Sequence, residues 1–102
     1  MSFTNIDPAT LDRLLSEGAT VVDVRTDAEV ARGIIPGARH VALDKLSARL
    51  GELNRAAPVI LYCQSGGRSA AAGQFLVAQG FAQVCNLQGG IVGWGASGRP
   101  LA

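Results

Sequence analysis

Apolar residues along this 102-residue chain come in two rhythms, and the alternation between them predicts the architecture. Leu11, Leu14 and Leu15 recur at helical spacing behind Asp7-Pro8, a capping residue followed by proline at the first helical position, and Gly18 closes that helix. Thr20 to Val24 then reads as a buried strand. Asp27 is placed to cap a short helix carrying Ala28, Val30 and Ala31, and Gly33 to Gly37 reads as a turn around Pro36. His40 to Leu43 is predicted as a short strand, and Asp44 as the cap of a further helix with Leu46, Leu50 and Leu53 on one face. Pro58 restarts extended chain, and Val59-Ile60-Leu61-Tyr62 has the unbroken apolar character of a strand covered on both sides. Ala70, Ala71, Ala72, Phe75, Leu76 and Val77 make Ser69 to Gln79 strongly helix-favouring, up to Gly80. Ala82 to Leu87 is the last predicted strand. Gly89-Gly90 turns the chain into a short helical piece around Trp94, which is expected to close over the core, and Ser97 to Ala102 is expected to be loose.

Strands separated by helices, with continuous apolar runs in place of alternation, predict an α/β fold: a mostly parallel central sheet of about five strands with helices on both faces. Ligands in such sheets sit beyond the carboxyl ends of the strands. With 102 residues, 48% of them hydrophobic, the chain fits one domain spanning residues 1–102 around a single core. Its 9 basic and 8 acidic residues form no cluster, which argues against a nucleic-acid partner. The start Met1-Ser2-Phe3-Thr4-Asn5 lacks a basic segment and an apolar signal core, and no apolar run approaches the roughly 18 residues of a membrane span, so a cytoplasmic protein with no membrane partner is expected. Two cysteines, Cys63 and Cys85, are too few for a disulfide scaffold and suit a reducing compartment.

The chemistry concentrates where the apolar strand ends. Cys63-Gln64-Ser65-Gly66-Gly67-Arg68 follows Tyr62 directly and leads into a helix, so Cys63 should be ringed by the free amides of that helix's first turn and favoured as a thiolate. Gly66 and Gly67 lack Cβ, so the loop can adopt positive φ and let successive amides converge into an anion nest. Arg68 adds a fixed positive charge. Four residues separate Cys63 from Arg68, one fewer than in the cysteine phosphatases. The tighter ring suits one extra sulfur atom on the cysteine, a persulfide, better than a tetrahedral oxyanion.

With that loop in place the chain resembles the rhodanese (thiosulfate sulfurtransferase) family, specifically its small single-domain members. Val22-Asp23-Val24-Arg25 is similar to the family's early Asp-Val-Arg segment, Gly33-Ile34-Ile35-Pro36-Gly37-Ala38 to its Gly-His-Ile-Pro-Gly-Ala turn, and Leu87-Gln88-Gly89-Gly90-Ile91-Val92-Gly93-Trp94 to its closing Gly-Gly-Ile-x-x-Trp. These landmarks and the cysteine loop stand in the same order and cover nearly the whole chain. The resemblance implies a sulfurtransferase that moves sulfane sulfur from a donor such as thiosulfate to a thiophilic acceptor, cyanide in assay and a thiol or a protein in the cell, with no metal and no organic cofactor. The alternative is a persulfide carrier or regulatory docking module with little turnover of its own. Ile34 stands where many relatives have histidine, so their substrate preference does not carry over.

Cys63 is the expected catalytic residue, with Gln64, Ser65, Gly66, Gly67, Arg68 and Ser69 expected to line the donor site. Asp23 and Arg25 read as a structural ion pair supporting that site from behind, since buried charges are usually paired. Glu29 and Arg32 read as solvated helix positions. Cys85, between Val84 and Asn86 in a strand pattern, reads as a core residue and not as a resolving thiol for Cys63. His40, the one histidine, has no partner set for a metal site and reads as structural.

Overall fold

The computed structural model describes residues 3–102. Its first element is one the apolar rhythm does not signal: β1, Thr4–Ile6, three residues of which only the last is buried. Helix α1, Pro8–Ser16, begins as the sequence predicts, with the Thr10 amide donating to Asp7 Oδ1 at 2.8 Å. Strand β2 covers Thr20–Asp23. Helix α2, Asp27–Val30, is capped by Thr26 and not by Asp27. The Glu29 amide donates to Thr26 Oγ1 at 3.3 Å while the Thr26 amide donates to Glu29 Oε1 at 3.1 Å, a reciprocal arrangement that satisfies two helix-end donors at once.

Two further expectations are corrected. Strand β3 is only Arg39–His40, where His40 to Leu43 was expected, because Leu43 already turns into helical geometry. The helix expected after Asp44 is instead a pair of 3-10 segments, Leu43–Lys45 and Ser47–Glu52, with no side-chain cap and with Arg49 out of helical geometry at φ −113° and ψ 15°. Leu46 and Leu53 are buried all the same. Burying a row of leucines requires only that they point one way, which two tight turns achieve without a regular helix.

The remaining elements are β4 (Val59–Tyr62), α3 (Gly67–Ala78), β5 (Val84–Leu87) and α4 (Gly90–Ala96). All five strands are parallel, in the order β1-β5-β4-β2-β3, with Asp23 of β2 level with Tyr62 of β4. Strand alternation splits the core in two. Val22, Leu61, Cys63 and Val84 face the side covered by α3 (Ala72, Leu76) and the 3-10 segments (Leu46, Leu53). Val21, Ile60, Tyr62 and Leu87 face the side covered by α1 (Leu11) and α4 (Ile91, Trp94). Helices therefore lie on both faces, as predicted, and the core is two layers instead of one. Among the described residues no helix is long and apolar enough to cross a membrane.

The last residues are not loose. Ala102 and Ile34 exchange backbone hydrogen bonds at 2.8 and 3.3 Å, Trp94 Nε1 donates to the Pro100 carbonyl at 2.8 Å, and Arg99 donates to Asp12 at 2.8 Å. The six-residue segment gave no sequence sign of these partners, two of which, Ile34 and Asp12, come from distant parts of the chain.

Candidate active site

Strand β4 ends at Tyr62 in the middle of the sheet, so Cys63 emerges at a carboxyl end flanked by β2 on one side and β5 on the other. The chain then folds back at once. Gly66 takes φ +115°, a left-handed conformation that costs glycine little, and aims its amide at the sulfur: Gly66 N–H donates to Cys63 Sγ at 3.1 Å. Gly67 does not take positive φ and is already the first residue of α3. One glycine makes the bend and the other begins the helix.

What keeps the loop amides turned inward is a second helix. The first turn of α4 places Ile91 N–H on the Cys63 carbonyl at 2.9 Å and Val92 N–H on the Gln64 carbonyl at 3.2 Å. With these carbonyls engaged outside the loop, the amides are left to face the sulfur. This close approach depends on Gly90, at φ +57°, where a Cβ would stand 2.5 Å from the carbonyl oxygens of both Cys63 and Gln64.

Behind the thiol lies a buried polar chain. Ser69 is fully buried, and its Oγ has three acceptors within reach: Asn86 Oδ1 at 2.5 Å, the Gly66 carbonyl at 3.2 Å and Cys63 Sγ at 3.4 Å. A hydroxyl carries one proton, so this group is a rotor whose donor follows the most negative neighbour. Asn86 is held in turn by its Nδ2, which donates to Asn5 Oδ1 at 3.1 Å, tying β1 to the site. Burial is the largest influence on Cys63 and pushes its thiol up. The Ser69 hydroxyl and the amides of Ser69, Gly66 and Ser65 outweigh it together, and the thiol is held below its ordinary value.

Cys63 itself is only 1% exposed, whereas Gln64 and Ser65 are exposed at the rim. An open cleft of about 690 Å³ adjoins the loop, lined by Arg25, Thr26, His40, Lys45, Arg49 and Arg68 among others, and Cys63 does not reach its wall. The sulfur lies beneath the mouth and not in it.

Arg68 is paired, and its partner is Glu29. Its Nη1 and Nη2 donate to Glu29 Oε1 and Oε2 at 2.6 and 2.7 Å, so Glu29 is no solvated helix position but a clasp between α2 and the cysteine loop. The Arg68 guanidinium holds the Glu29 carboxyl well below the usual range, at about 2, and Glu29 raises Arg68 in turn, with the Cys63 charge adding to the rise. Asp23 and Arg25 do pair with each other: Arg25 Nη2 donates to Asp23 Oδ2 at 2.7 Å and to the Gly33 carbonyl at 2.7 Å, and both side chains are buried. Neither bonds to Cys63 or the rest of the loop. Tyr62, fully buried beside them, accepts from the Ile35 amide at 3.0 Å, and burial with Asp23 nearby pushes its hydroxyl far up. His40 Nε2–H donates to the Arg25 carbonyl at 2.7 Å and so pins the strand end, a structural role. Trp94 is 4% exposed on the α4 side.

Cys85 packs against the sheet face opposite to that of Cys63, both thiols are free, and burial pushes the Cys85 thiol up. The two sulfurs are separated by the sheet itself. Sequence reading missed Glu29, Asn86 and the amides of Ile91 and Val92. A signal existed for two of these: Thr26-x-x-Glu29 has the spacing of a capping box, and Asn86 is a polar residue in an otherwise apolar strand. Backbone amides leave no trace in side-chain patterns.

A family model described as a rhodanese-like domain matches residues 7–97. A curated protein of Allochromatium vinosum named sulfurtransferase is 39% identical over 98 residues, covering 94% of this chain and 92% of that protein. The thiosulfate sulfurtransferase GlpE of Ectopseudomonas mendocina is 37% identical over 95 residues, covering 93% of this chain and 87% of its own. Among solved structures, that of a rhodanese-related protein from Thermoplasma volcanium superposes with a TM-score of 0.89 at 30% identity over 98% of each chain.

Proposed function

The chain belongs to the rhodanese-like domain family, and from that premise we propose that residues 1–102 act as one sulfurtransferase domain working through a persulfide on Cys63. The observation that carries this reading is the reception of Sγ at the head of α3: the Gly66 amide at 3.1 Å and the Ser69 hydroxyl at 3.4 Å, inside a loop with only four residues between Cys63 and Arg68. The Cys63 thiolate attacks the outer sulfur of a donor such as thiosulfate. The bond between the donor's sulfurs breaks, sulfite leaves with the electron pair, and Cys63 keeps the transferred sulfur as a persulfide. Inward amides stabilise the sulfur anion in both stages. A nucleophilic acceptor, cyanide in assay and a thiol or protein thiol in the cell, then takes the outer sulfur and restores the thiolate. Gln64, Ser65, Gly66, Gly67, Arg68 and Ser69 contact donor and acceptor in this reading, and Asp23 with Arg25 fixes the neighbouring turn. The free thiols suit a reducing compartment such as the cytoplasm.

The test is thiocyanate formation from thiosulfate and cyanide by the wild type and by Cys63→Ala. Production by the wild type and none by the variant is expected; equal rates would overturn the mechanism. One observation favours the carrier alternative, the 1% exposure of Cys63, because a covered sulfur exchanges slowly with free small molecules. Stoichiometric added sulfur on intact mass with negligible thiocyanate turnover would select it.

A further inference from the structure

Arg68 is the only cationic side chain in the loop from Cys63 to Ser69, and it is already occupied. Glu29 takes both of its terminal amino groups end-on at 2.6 and 2.7 Å. The carboxylate cannot swing aside freely, because the amide and the hydroxyl of Thr26 each donate to its Oε1 at 3.1 Å. The charges of Asp23 and Arg25 cancel within their own buried pair at 2.7 Å. Within the loop and these two ion pairs, side-chain charge therefore sums to that of the thiolate alone, and backbone dipoles are left to receive an anion.

We propose that Glu29 is a specificity-determining residue that sets the charge of the sulfur donor: by neutralising Arg68 it makes the cradle take sulfur from a weakly charged carrier, a persulfide on an alkyl thiol, in preference to a dianion such as thiosulfate. The inference rests on the Cys63 persulfide reading above. In the favoured step the Cys63 thiolate attacks the outer sulfur of R–S–SH, the S–S bond breaks, Cys63–S–SH forms and R–S⁻ leaves with the electron pair, so no external oxidant or reductant is needed. The same attack on thiosulfate brings a dianion against the thiolate with no unpaired cation in the loop to offset the repulsion.

The test uses Glu29→Gln in a Cys85→Ser background, so that one thiol is read. Glutamine keeps the size of the side chain and an oxygen for the Thr26 cap. Cys63 is alkylated with iodoacetate and with iodoacetamide, reagents of nearly equal size and different charge, and the rates are followed by intact mass. The iodoacetate to iodoacetamide rate ratio is expected to rise about three- to tenfold in Glu29→Gln and to fall in Arg68→Gln, where the carboxylate is left unopposed. The kcat/KM for thiosulfate relative to that for cysteine persulfide should rise in Glu29→Gln by a similar factor. Unchanged alkylation ratios in both variants overturn the proposal; should Glu29→Gln fail to fold, the direction of the Arg68→Gln ratio decides. The alkylation arm involves no sulfur transfer. Shifted ratios with no persulfide from any donor on the wild type would therefore sink the sulfurtransferase reading while leaving the charge role of Glu29 standing.

Discussion

A thiol with 1% of its surface exposed is ionised only where its neighbours supply more than the water it has lost, and at Cys63 the decisive neighbour is Ser69. Ser69→Ala removes the hydroxyl that favours the thiolate, so the thiol's pKa rises. Alkylation of Cys63 by iodoacetamide at neutral pH should slow roughly tenfold, with the rate against pH curve displaced to the alkaline side and its high-pH plateau retained. Glu29 gives a second pH signature. Its carboxyl is lowered in the folded state to about 2, so the stability it contributes is present above the unfolded carboxyl range and is lost as pH falls from there towards 2. Glu29→Gln should flatten the urea midpoint against pH over that interval, by a modest amount because the pair is part-exposed. Cys63 was legible in the sequence because a thiol, two glycines and an arginine at a strand-to-helix junction are side-chain facts. Glu29 was not, because its partner stands 39 residues away and only the folded sheet brings α2 beside the loop.

At the scale of elements the loop is built by two helices and not one. Helix α3 offers amides to the sulfur, and the first turn of α4 takes the opposing carbonyls out of the way. The second part is where Gly90→Ala should act: a methyl placed 2.5 Å from the Cys63 and Gln64 carbonyl oxygens must push the loop off α4. The expected outcome is loss of stability of about 2 kcal/mol or more by urea unfolding. Thiocyanate turnover should fall at least tenfold in protein that remains folded. Strand and helix identity were readable wherever apolar runs were continuous, as in β4 and α3. The chain between β3 and β4 was misread because leucine spacing records which way side chains point and not the turn type that points them there. Strand β1 was missed for a related reason: three residues at a sheet edge bury one side chain, too few to set a rhythm.

Across the whole molecule, the buried Asp23–Arg25 pair joins β2 to the Gly33 turn, and Ile34 beside that turn is stitched to Ala102. Arg25→Ala removes the cation and leaves a fully buried carboxylate without its partner, a change expected to cost about 3–5 kcal/mol. A lowered urea midpoint measures it, whereas Arg32→Ala, an exposed control, should shift little. The pairing of Asp23 with Arg25 was predictable from the rule that buried charges come paired; the fastening of the last residues was not, since Ile34 binds through its backbone and, like Asp12, stands far off in sequence. The sheet that sorts the two cysteines onto opposite faces has its own outcome under peroxide stress. A sulfenic acid formed at Cys63 has no internal thiol with which to condense, so it is either captured by glutathione from solution or driven on to irreversible acids. Survival of the protein through an oxidative burst is thereby delegated to the surrounding redox buffer.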